Sequence, residues 1–297
     1  MFELHCHLDG SLRIETLAEL TGDERELIEI KKDISFYPNM GIQKALSCFK
    51  TTLSIMQTPD RVERITRELC VDLEKFGHTH TEIRFAPQLH EGGTMEEIVD
   101  AAISGLDDRS SLILCGLYGE SPKVLLNLVE IAKNRQQVVG IDLAGAPAKH
   151  HKYRLIDYEK PFTMAKKLGI GRTVHAAEGR SPREIETAVK FLHAQRIGHG
   201  LTLLEDPRVL ELVLERDITI EACLTSNWHT GAIEKIPDHP IKKWFDEGVR
   251  VAICADNILL SDTVLPIEYT KARNLCGLSD RDILQCNIYA EDALFRR

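Results

Sequence analysis

The sequence contains no apolar run of membrane-spanning length, no Cys-x-x-Cys pair, and few aromatic residues, which make up 6% of its 297 residues. A transmembrane helix needs about 20 consecutive apolar residues, so a membrane-spanning protein is not indicated. The N-terminus enters a predicted strand almost at once, and nothing there resembles a signal peptide. We therefore expect a cytoplasmic protein with no membrane partner.

Basic residues are also fewer than acidic ones. The sequence has 37 Lys and Arg and 46 Asp and Glu, so the net charge is −9. This excess of negative charge argues against nucleic acid as a partner. The eight cysteines are scattered, and several lie inside apolar segments. A reduced protein with buried thiols is therefore favoured over a disulfide scaffold.

Low-complexity segments, fixed-period repeats and Pro/Gly-rich linkers are absent as well. Hydrophobic content of 43% and charged content of 28% are typical of a globular protein with a large core. A (β/α)8 barrel of about 250 residues can form one domain, so we expect residues 1–297 to form a single domain.

Short apolar segments alternate with longer amphipathic ones along the chain. Eight apolar segments predict strands, at 2–8, 80–87, 111–119, 138–145, 171–178, 196–200, 218–226 and 250–256. Helices are predicted between them, for example at 181–195 and 206–217. The first of these helices is expected to begin with Ser181 as N-cap, Pro182 at the first helical position and Glu184 completing a capping box.

This alternation predicts an α/β fold of the TIM (β/α)8 barrel type. Residues 10–79 are too long for one crossover, so extra helices are expected between strands one and two, over one barrel mouth. An open doubly wound sheet is the alternative, but no Gly-rich phosphate loop follows an early strand.

The stretch ELHCHLDGS at residues 3–11 places His5, His7 and Asp9 on alternate positions. In a strand these side chains would share one face, while Leu4, Cys6 and Leu8 would face the other way. An H-x-H pair alone is weak evidence, because it is equally typical of a solvent-facing edge strand. A metal site at the inner end of a barrel strand would need further ligands elsewhere in the chain.

Polar and ionisable residues do collect where other predicted strands end. They are Asp142 and Gly145 at the end of the fourth segment, His175 and Glu178 at the end of the fifth, His199 at the end of the sixth, Thr225, Ser226 and Asn227 at the end of the seventh, and Asp256 and Asn257 at the end of the eighth. Barrel active sites form at these ends. Three imidazoles and a carboxylate suit one divalent metal, most of all Zn²⁺, with Fe or Co as alternatives. The candidate ligands are His5, His7, His175 and Asp256, which leaves Glu178 and His199 for proton transfer.

The sequence resembles the adenosine deaminase family of metal-dependent hydrolases. The matching segments are ELHCHLDGSL, EIRFAP, GIDLAG, HAAEGRS, RIGHG, TIEACLTSNWHTGA and VAICADN, which follow the family order over residues 2–269. The combination of H-x-H-L-D-G, H-A-x-E and R-I-G-H-G is far more specific than any one of these motifs.

The resemblance implies a role for each matching residue. His5, His7, His175 and Asp256 match the metal ligands, in agreement with the donor set above. Glu178 matches the residue that delivers a proton to purine N1, and His199 matches the residue that orients and deprotonates the water held by the metal. Asp9 matches the group that holds the ribose 5′-hydroxyl, Gly145 the group whose backbone N–H meets N3, and Asn257 the position that bonds N7.

Three departures from the family pattern bear on the substrate. The second of two family aspartates at strand eight is Asn257, whose amide can still donate to N7. The sequence GDE after strand four is replaced by Gly145, Ala146 and Pro147, which keeps the backbone contact and loses the acidic side chains. Trp228 and His229 lie near the predicted rim, where they either pack locally or add a wall to the pocket.

Asp9 bears on the substrate because the family's nucleoside deaminases carry Asp at this position, its adenine deaminases Glu and its nucleotide-directed members Asn. We expect a small-molecule purine nucleoside, adenosine or 2′-deoxyadenosine. Adenine, or a modified nucleoside such as 6-amino-6-deoxyfutalosine, is the alternative. A two-metal amidohydrolase is less favoured, since GIDLAG lacks the bridging lysine. A nucleoside-binding relative without activity would need neither Glu178 nor His199.

Overall fold

The computed structural model describes residues 1–297 and contains one sheet of eight parallel strands in chain order. The strands are β1 (Phe2–His7), β2 (His80–Phe85), β3 (Ser110–Leu117), β4 (Val138–Ala144), β5 (Gly171–Ala176), β6 (Arg196–His199), β7 (Thr219–Ala222) and β8 (Arg250–Ile253). Helices lie between the strands, so the architecture is the predicted TIM barrel and the open doubly wound sheet is excluded.

The barrel closes between β8 and β1 at the point where predicted ligands lie. The backbone N–H of His7 donates to the carbonyl of Asp256 (2.8 Å), and the N–H of Asp256 donates to the carbonyl of His5 (2.9 Å). These two hydrogen bonds form a parallel bridge between Cys6 and Asp256. Closure of the fold and assembly of the candidate site therefore depend on the same backbone atoms.

Thirteen α-helices surround the strands. They are α1 (Ile14–Thr21), α2 (Leu27–Ile34), α3 (Ile42–Ile55), α4 (Pro59–Lys75), α5 (Met95–Gly105), α6 (Pro122–Lys133), α7 (Glu159–Lys167), α8 (Arg183–Lys190), α9 (Pro207–Glu215), α10 (Leu224–His229), α11 (Ile241–Asp246), α12 (Leu265–Cys276) and α13 (Asp280–Asp292). The extra helices predicted between the first two strands are α1 to α4. None of the thirteen combines the length and the apolar character that crossing a bilayer would require.

Helix α8 starts differently from the predicted capping box. Its N-cap is Pro182, and Ser181 Oγ only accepts a weak bond from the N–H of Arg183 (3.3 Å). The Glu184 carboxylate instead accepts from the backbone N–H of Ala177 (2.7 Å) and from Arg180 (3.0 Å). Glu184 therefore ties the helix to the end of β5 and so steadies the loop that carries Glu178.

All eight strands are shorter than the predicted segments, and at two of them the chain turns at the rim where the pattern predicts a strand. Strand β7 ends at Ala222, and Leu224–His229 form α10 in place of the strand predicted to 226. Likewise β1 ends at His7, and Leu8–Gly10 form a 3-10 turn, so Asp9 does not continue the strand alternation. Both turns keep their polar side chains at the carboxyl ends of the strands.

All eight cysteines are free thiols and seven are buried, with Cys48 at intermediate exposure. The expectation of buried, unpaired thiols is confirmed. Burial raises the pKa of these thiols, for example to about 12 at Cys254 and Cys286. The buried thiols therefore act as small apolar groups that pack the core.

Candidate active site

Three of the predicted metal ligands lie within a few ångströms of one another at the carboxyl ends of the strands. The Nε2 atoms of His5 and His7 are 3.2 Å apart, and Asp256 Oδ1 lies 3.6 and 3.5 Å from them. Metal–nitrogen and metal–oxygen bonds of about 2.0–2.1 Å in a tetrahedron would separate ligand atoms by about 3.3 Å. The spacing of these three donors therefore allows all three to bind one ion.

His175 brings the third imidazole to the same point. Its ring centroid lies 4.6 Å from that of His5 and 5.4 Å from that of His7. Ring nitrogens of His5, His175 and His199 all lie within 4.8 Å of one another. The structure thus brings together the four predicted ligands and places His199 in the same cluster, with its ring centroid 5.2 Å from that of His5 and 5.1 Å from that of His175.

Two buried carboxylates orient the imidazoles from behind. Glu221 Oε2 lies 2.7 Å from His5 Nδ1, and Asp142 Oδ2 lies 3.0 Å from His175 Nδ1. Each carboxylate accepts from the Nδ1–H of its histidine, so the Nε2 lone pairs are free to bind an ion. A histidine held in this way by a carboxylate is the usual arrangement at protein zinc sites.

Arg84 joins these two carboxylates inside the barrel. Its Nη1 lies 2.8 Å from Asp142 Oδ2 and its Nη2 lies 3.0 Å from Glu221 Oε2, while Nη2 also donates to the carbonyl of Leu4. Arg84, Asp142 and Glu221 are fully buried. A buried guanidinium with two carboxylate partners compensates charge that would otherwise destabilise the core.

The electrostatic environment separates the histidines. Burial lowers the pKa of His5, His7 and His199, so these rings are neutral and can act as ligands or hydrogen-bond partners. Burial also opposes charge on His175, but the adjacent Asp142 carboxylate outweighs it and raises the His175 pKa. Burial raises the pKa of Asp256. A cation at this point would favour the ionised form of Asp256 and the neutral form of His175.

Glu178 and His199 face this cluster and share a partner on α10. Asn227 Nδ2 lies 2.9 Å from His199 Nδ1 and 3.5 Å from Glu178 Oε1. The hydroxyl of Thr230 donates to Glu178 Oε1 at 2.9 Å. All of these side chains except Thr230 are buried, so a candidate acid and a candidate base stand in a pocket with little water.

His199 and Asp256 both have left-handed backbone conformations, with φ of 70° and 66°. Such values are uncommon for residues other than glycine and cost about 1–3 kcal/mol each. His199 ends β6 and Asp256 lies three residues after the end of β8, and each turn points the side chain into the barrel mouth. This local strain lies at the residues that the sequence predicts to be functional.

The three predicted substrate-binding residues lie next to the cluster. Asp9 is buried, its Oδ1 has no hydrogen-bond partner, and burial raises its pKa to about 7. Asn257 donates from Nδ2 to Asp256 Oδ1 (2.7 Å) and leaves Oδ1 unpaired. Gly10 packs against this amide so closely that a Cβ atom would clash with it. Gly145 has a φ of 79° and lines the mouth.

Two adjoining cavities open onto these residues. One of about 60 Å³ contacts the cluster and is lined by His7, Gly145, Glu178, His199, Ser226, Asp256 and Asn257. The other, of about 330 Å³, contains Asp9 and is mostly apolar. Leu46 and Phe49 of α3 line both, so α3 covers the mouth as the long insertion predicts. A cavity of about 780 Å³ lies at the amino ends of the strands and contains no predicted site residue.

Trp228 and His229 do not line either of these cavities. They stack on each other with centroids 5.4 Å apart and line a separate cavity with Phe36, Ser261 and Lys271. His229 is buried, and burial lowers its pKa to about 4. The local-packing interpretation of this pair therefore fits the structure better than a role as a pocket wall.

The sequence did not predict a role for three buried residues that support the candidate site through hydrogen bonds. Arg84 and Glu221 lie within the matching segments EIRFAP and TIEACLTSNWHTGA, but no role is predicted for them, and His239 lies outside every matching segment. The signal that could have found Arg84 and Glu221 is a charged residue at an interior position of a predicted barrel strand. A buried charge requires a partner, and the partner of a barrel-interior charge is another interior charge.

Comparisons with known proteins agree with this geometry. The adenosine deaminase family model matches residues 1–295. The adenosine deaminase of Clostridium acetobutylicum is 36% identical over 95% of this chain and 88% of its own length, and that of Clostridium kluyveri is 34% identical over 90% and 81%. Two solved structures share the fold. Arabidopsis ADAL complexed with IMP has a TM-score of 0.86 at 24% identity, over 100% of this chain and 92% of its own. The adenine deaminase of Arthrobacter aurescens has a TM-score of 0.87 at 22% identity, over 99% of this chain and 93% of its own.

Proposed function

Because this chain belongs to the adenosine deaminase family and is a metal-dependent hydrolase of C–N bonds, we propose that it deaminates adenosine or 2′-deoxyadenosine. The products are inosine or 2′-deoxyinosine and ammonia. One observation carries the proposal: three imidazoles and a carboxylate converge within a few ångströms, and a buried glutamate and a further histidine face them.

The residues that would hold the metal are His5, His7, His175 and Asp256, and we propose zinc as the ion. The fit rests on the donor set and on the separations of 3.2–3.6 Å among His5, His7 and Asp256. The carboxylates behind His5 and His175 leave Nε2 as the free ligand atom. When bound, such an ion lowers the pKa of a coordinated water toward 7 and so supplies a nucleophile at neutral pH.

Glu178 is placed to act on the purine ring. In its protonated form it delivers a proton to N1, which makes C6 more open to attack by water. Thr230 and Asn227 hold one oxygen of the carboxylate, so the other oxygen remains for the substrate. His199 faces the same cavity and orients the attacking oxygen. Positioned proton transfer of this kind contributes about 10²–10⁴-fold to rate.

Three groups would position the nucleoside. The unpaired, buried carboxylate of Asp9 is an acceptor for the 5′-hydroxyl in the larger cavity. The second amide hydrogen of Asn257 is a donor for N7, because the first is bound to Asp256. Gly145 brings its backbone to the cavity wall without a side chain, at the level where purine N3 would lie.

The charge of the cavity walls favours a nucleoside over a nucleotide. No Lys or Arg lines either cavity to attract a 5′-phosphate, and the ionised form of Asp9 would repel one. The larger cavity has eleven hydrophobic residues among its seventeen, so an adenine nucleoside with an uncharged 5′ substituent is the second candidate. Free adenine would leave this cavity empty.

The test is a comparison of initial rates of ammonia release from adenosine, 2′-deoxyadenosine, AMP and adenine by the zinc-loaded protein. We expect the two nucleosides to be deaminated and AMP and adenine to be much poorer substrates. Faster release from AMP or adenine than from adenosine would overturn the nucleoside assignment. Zinc content measured on the same sample excludes incomplete loading as a cause.

A further inference from the structure

We propose that Asn227 and His239 are positioning residues that fix His199 as the tautomer with its proton on Nε2. The inference refines the proposed function, on which it rests for the role of His199. It comes from a chain of hydrogen bonds whose direction is set at one end by a backbone N–H group. Its consequence is that His199 meets the reacting oxygen as a hydrogen-bond donor.

The chain of hydrogen bonds begins at His239. The backbone N–H of Ile241 lies 3.1 Å from His239 Nδ1. A backbone N–H can only donate, so Nδ1 must present its lone pair, and a neutral ring then carries its proton on Nε2. Burial lowers the pKa of His239 to about 3, in agreement with a neutral ring. His239 therefore has a fixed donor, Nε2–H, which points at Asn227.

The second step fixes the amide of Asn227. His239 Nε2 lies 3.3 Å from Asn227 Oδ1. Because His239 donates here, the atom that it meets must be the amide oxygen, and the NH₂ group must lie on the other side. Asn227 is fully buried, and its backbone carbonyl accepts from the N–H groups of Ala232 (3.0 Å) and Ile233 (3.2 Å). The side chain thus has one orientation.

The third step reaches His199. Asn227 Nδ2 lies 2.9 Å from His199 Nδ1 and donates to it. A neutral imidazole has one proton, and Nδ1 is an acceptor, so the proton lies on Nε2. An amide NH₂ group cannot take up a proton from Nδ1, so it blocks the other tautomer. The orienting role that the family resemblance implies for His199 is kept, while removal of a proton by the neutral ring is not available at Nε2.

The same amide also lies 3.5 Å from Glu178 Oε1. Asn227 therefore contacts both groups that face the reaction cavity, and a purely structural asparagine would need neither contact. An isosteric change at this position separates the two explanations. Asn227→Asp keeps the shape and volume but replaces the donor with a second acceptor, which requires a proton on Nδ1 of His199.

The test is ¹⁵N NMR of the zinc-loaded protein labelled at histidine, because protonated and unprotonated ring nitrogens have distinct chemical shifts. The His199 signals are assigned by their loss in His199→Gln. We expect Nε2 protonated and Nδ1 unprotonated in the wild-type protein, and Nδ1 protonated in Asn227→Asp. A wild-type His199 with its proton on Nδ1, or an unchanged pattern in Asn227→Asp, would overturn the proposal.

A second pair of variants guards against misfolding of Asn227→Asp. His239→Gln can keep a donor toward Asn227, whereas His239→Leu has none. We expect the wild-type ring pattern of His199 to persist in His239→Gln and to become mixed in His239→Leu, with kcat lower in His239→Leu by about 10-fold or more at equal zinc content. Equal patterns in the two variants would contradict the proposal.

The NMR result does not depend on turnover, so a failure of the deaminase assignment would be seen separately, as absent ammonia release with an intact pattern.

Discussion

Oδ2 of Asp142 lies 3.0 Å from Nδ1 of His175 and 2.8 Å from Nη1 of Arg84, so one buried oxygen connects a candidate metal ligand to a buried cation. We predict that Asp142→Asn weakens zinc binding about 10–100-fold, because the carboxylate that orients His175 is lost. Competition with a chromogenic chelator measures the change. Asp246→Asn, at an exposed position of α11, is the control and should bind zinc as the wild-type protein does. Equal affinities in the two variants would remove Asp142 from the support of the site.

Glu178→Gln tests the proton donor. The variant keeps the size of the side chain and one hydrogen-bonding oxygen, so we expect a folded protein with normal zinc content. Ammonia release from adenosine should fall about 10²–10⁴-fold, since the amide cannot deliver a proton to N1. Turnover near the wild-type value at full zinc occupancy would show that another group supplies this proton.

Much of this site could be predicted from the sequence, because strand ends and motif order place the ligands. His5 and His7 alternate on β1, and His175, His199 and Asp256 each lie within three residues of a strand end. The contacts between side chains inside the barrel could not be predicted from the sequence. Arg84 and Glu221 meet only when β2 and β7 face each other across the barrel axis, which is a contact between residues 137 positions apart.

Helix starts were predicted less well, for a physical reason. Ser181 and Glu184 have the spacing of a capping box, but the Glu184 carboxylate has a better partner in the N–H of Ala177. Tertiary contact overrides local capping here because the loop after β5 needs a buried acceptor. The seventh strand differs in a similar way, because the pattern places Thr225 and Ser226 in a strand and the structure places them in α10.

Asp9→Asn tests the substrate assignment. If Asp9 holds the 5′-hydroxyl, the change removes a charge-assisted hydrogen bond worth roughly 1.5–3 kcal/mol and relieves repulsion of a 5′-phosphate. We expect kcat/KM for adenosine to fall about 10–100-fold, and the ratio of adenosine to AMP activity to fall with it. Free adenine should be little affected. Unchanged adenosine kinetics would show that Asp9 does not bind the 5′-hydroxyl and has only a structural role.

His229 predicts a dependence of stability on pH. Its pKa is lowered to about 4 in the folded protein, against an ordinary value of 6.5, because the ring is buried. Between these two values the unfolded chain binds more protons, so stability is lost as pH falls from 6.5 toward 4. His229→Gln removes this contribution, and the loss between pH 7 and pH 5 should be smaller by roughly 2 kcal/mol. Urea unfolding at the two pH values measures it, and equal losses in both proteins would contradict the pKa.

The most direct test of the account is a zinc titration of the metal-free protein, with conversion of adenosine to inosine followed by ultraviolet absorbance at each point. We predict activity that rises linearly and saturates at one zinc per chain, and that stays near the background in Glu178→Gln at the same zinc content. Saturation at two zinc ions per chain would contradict the single-metal site. No conversion of adenosine at full zinc occupancy would contradict the central claim, that this barrel mouth deaminates adenine nucleosides.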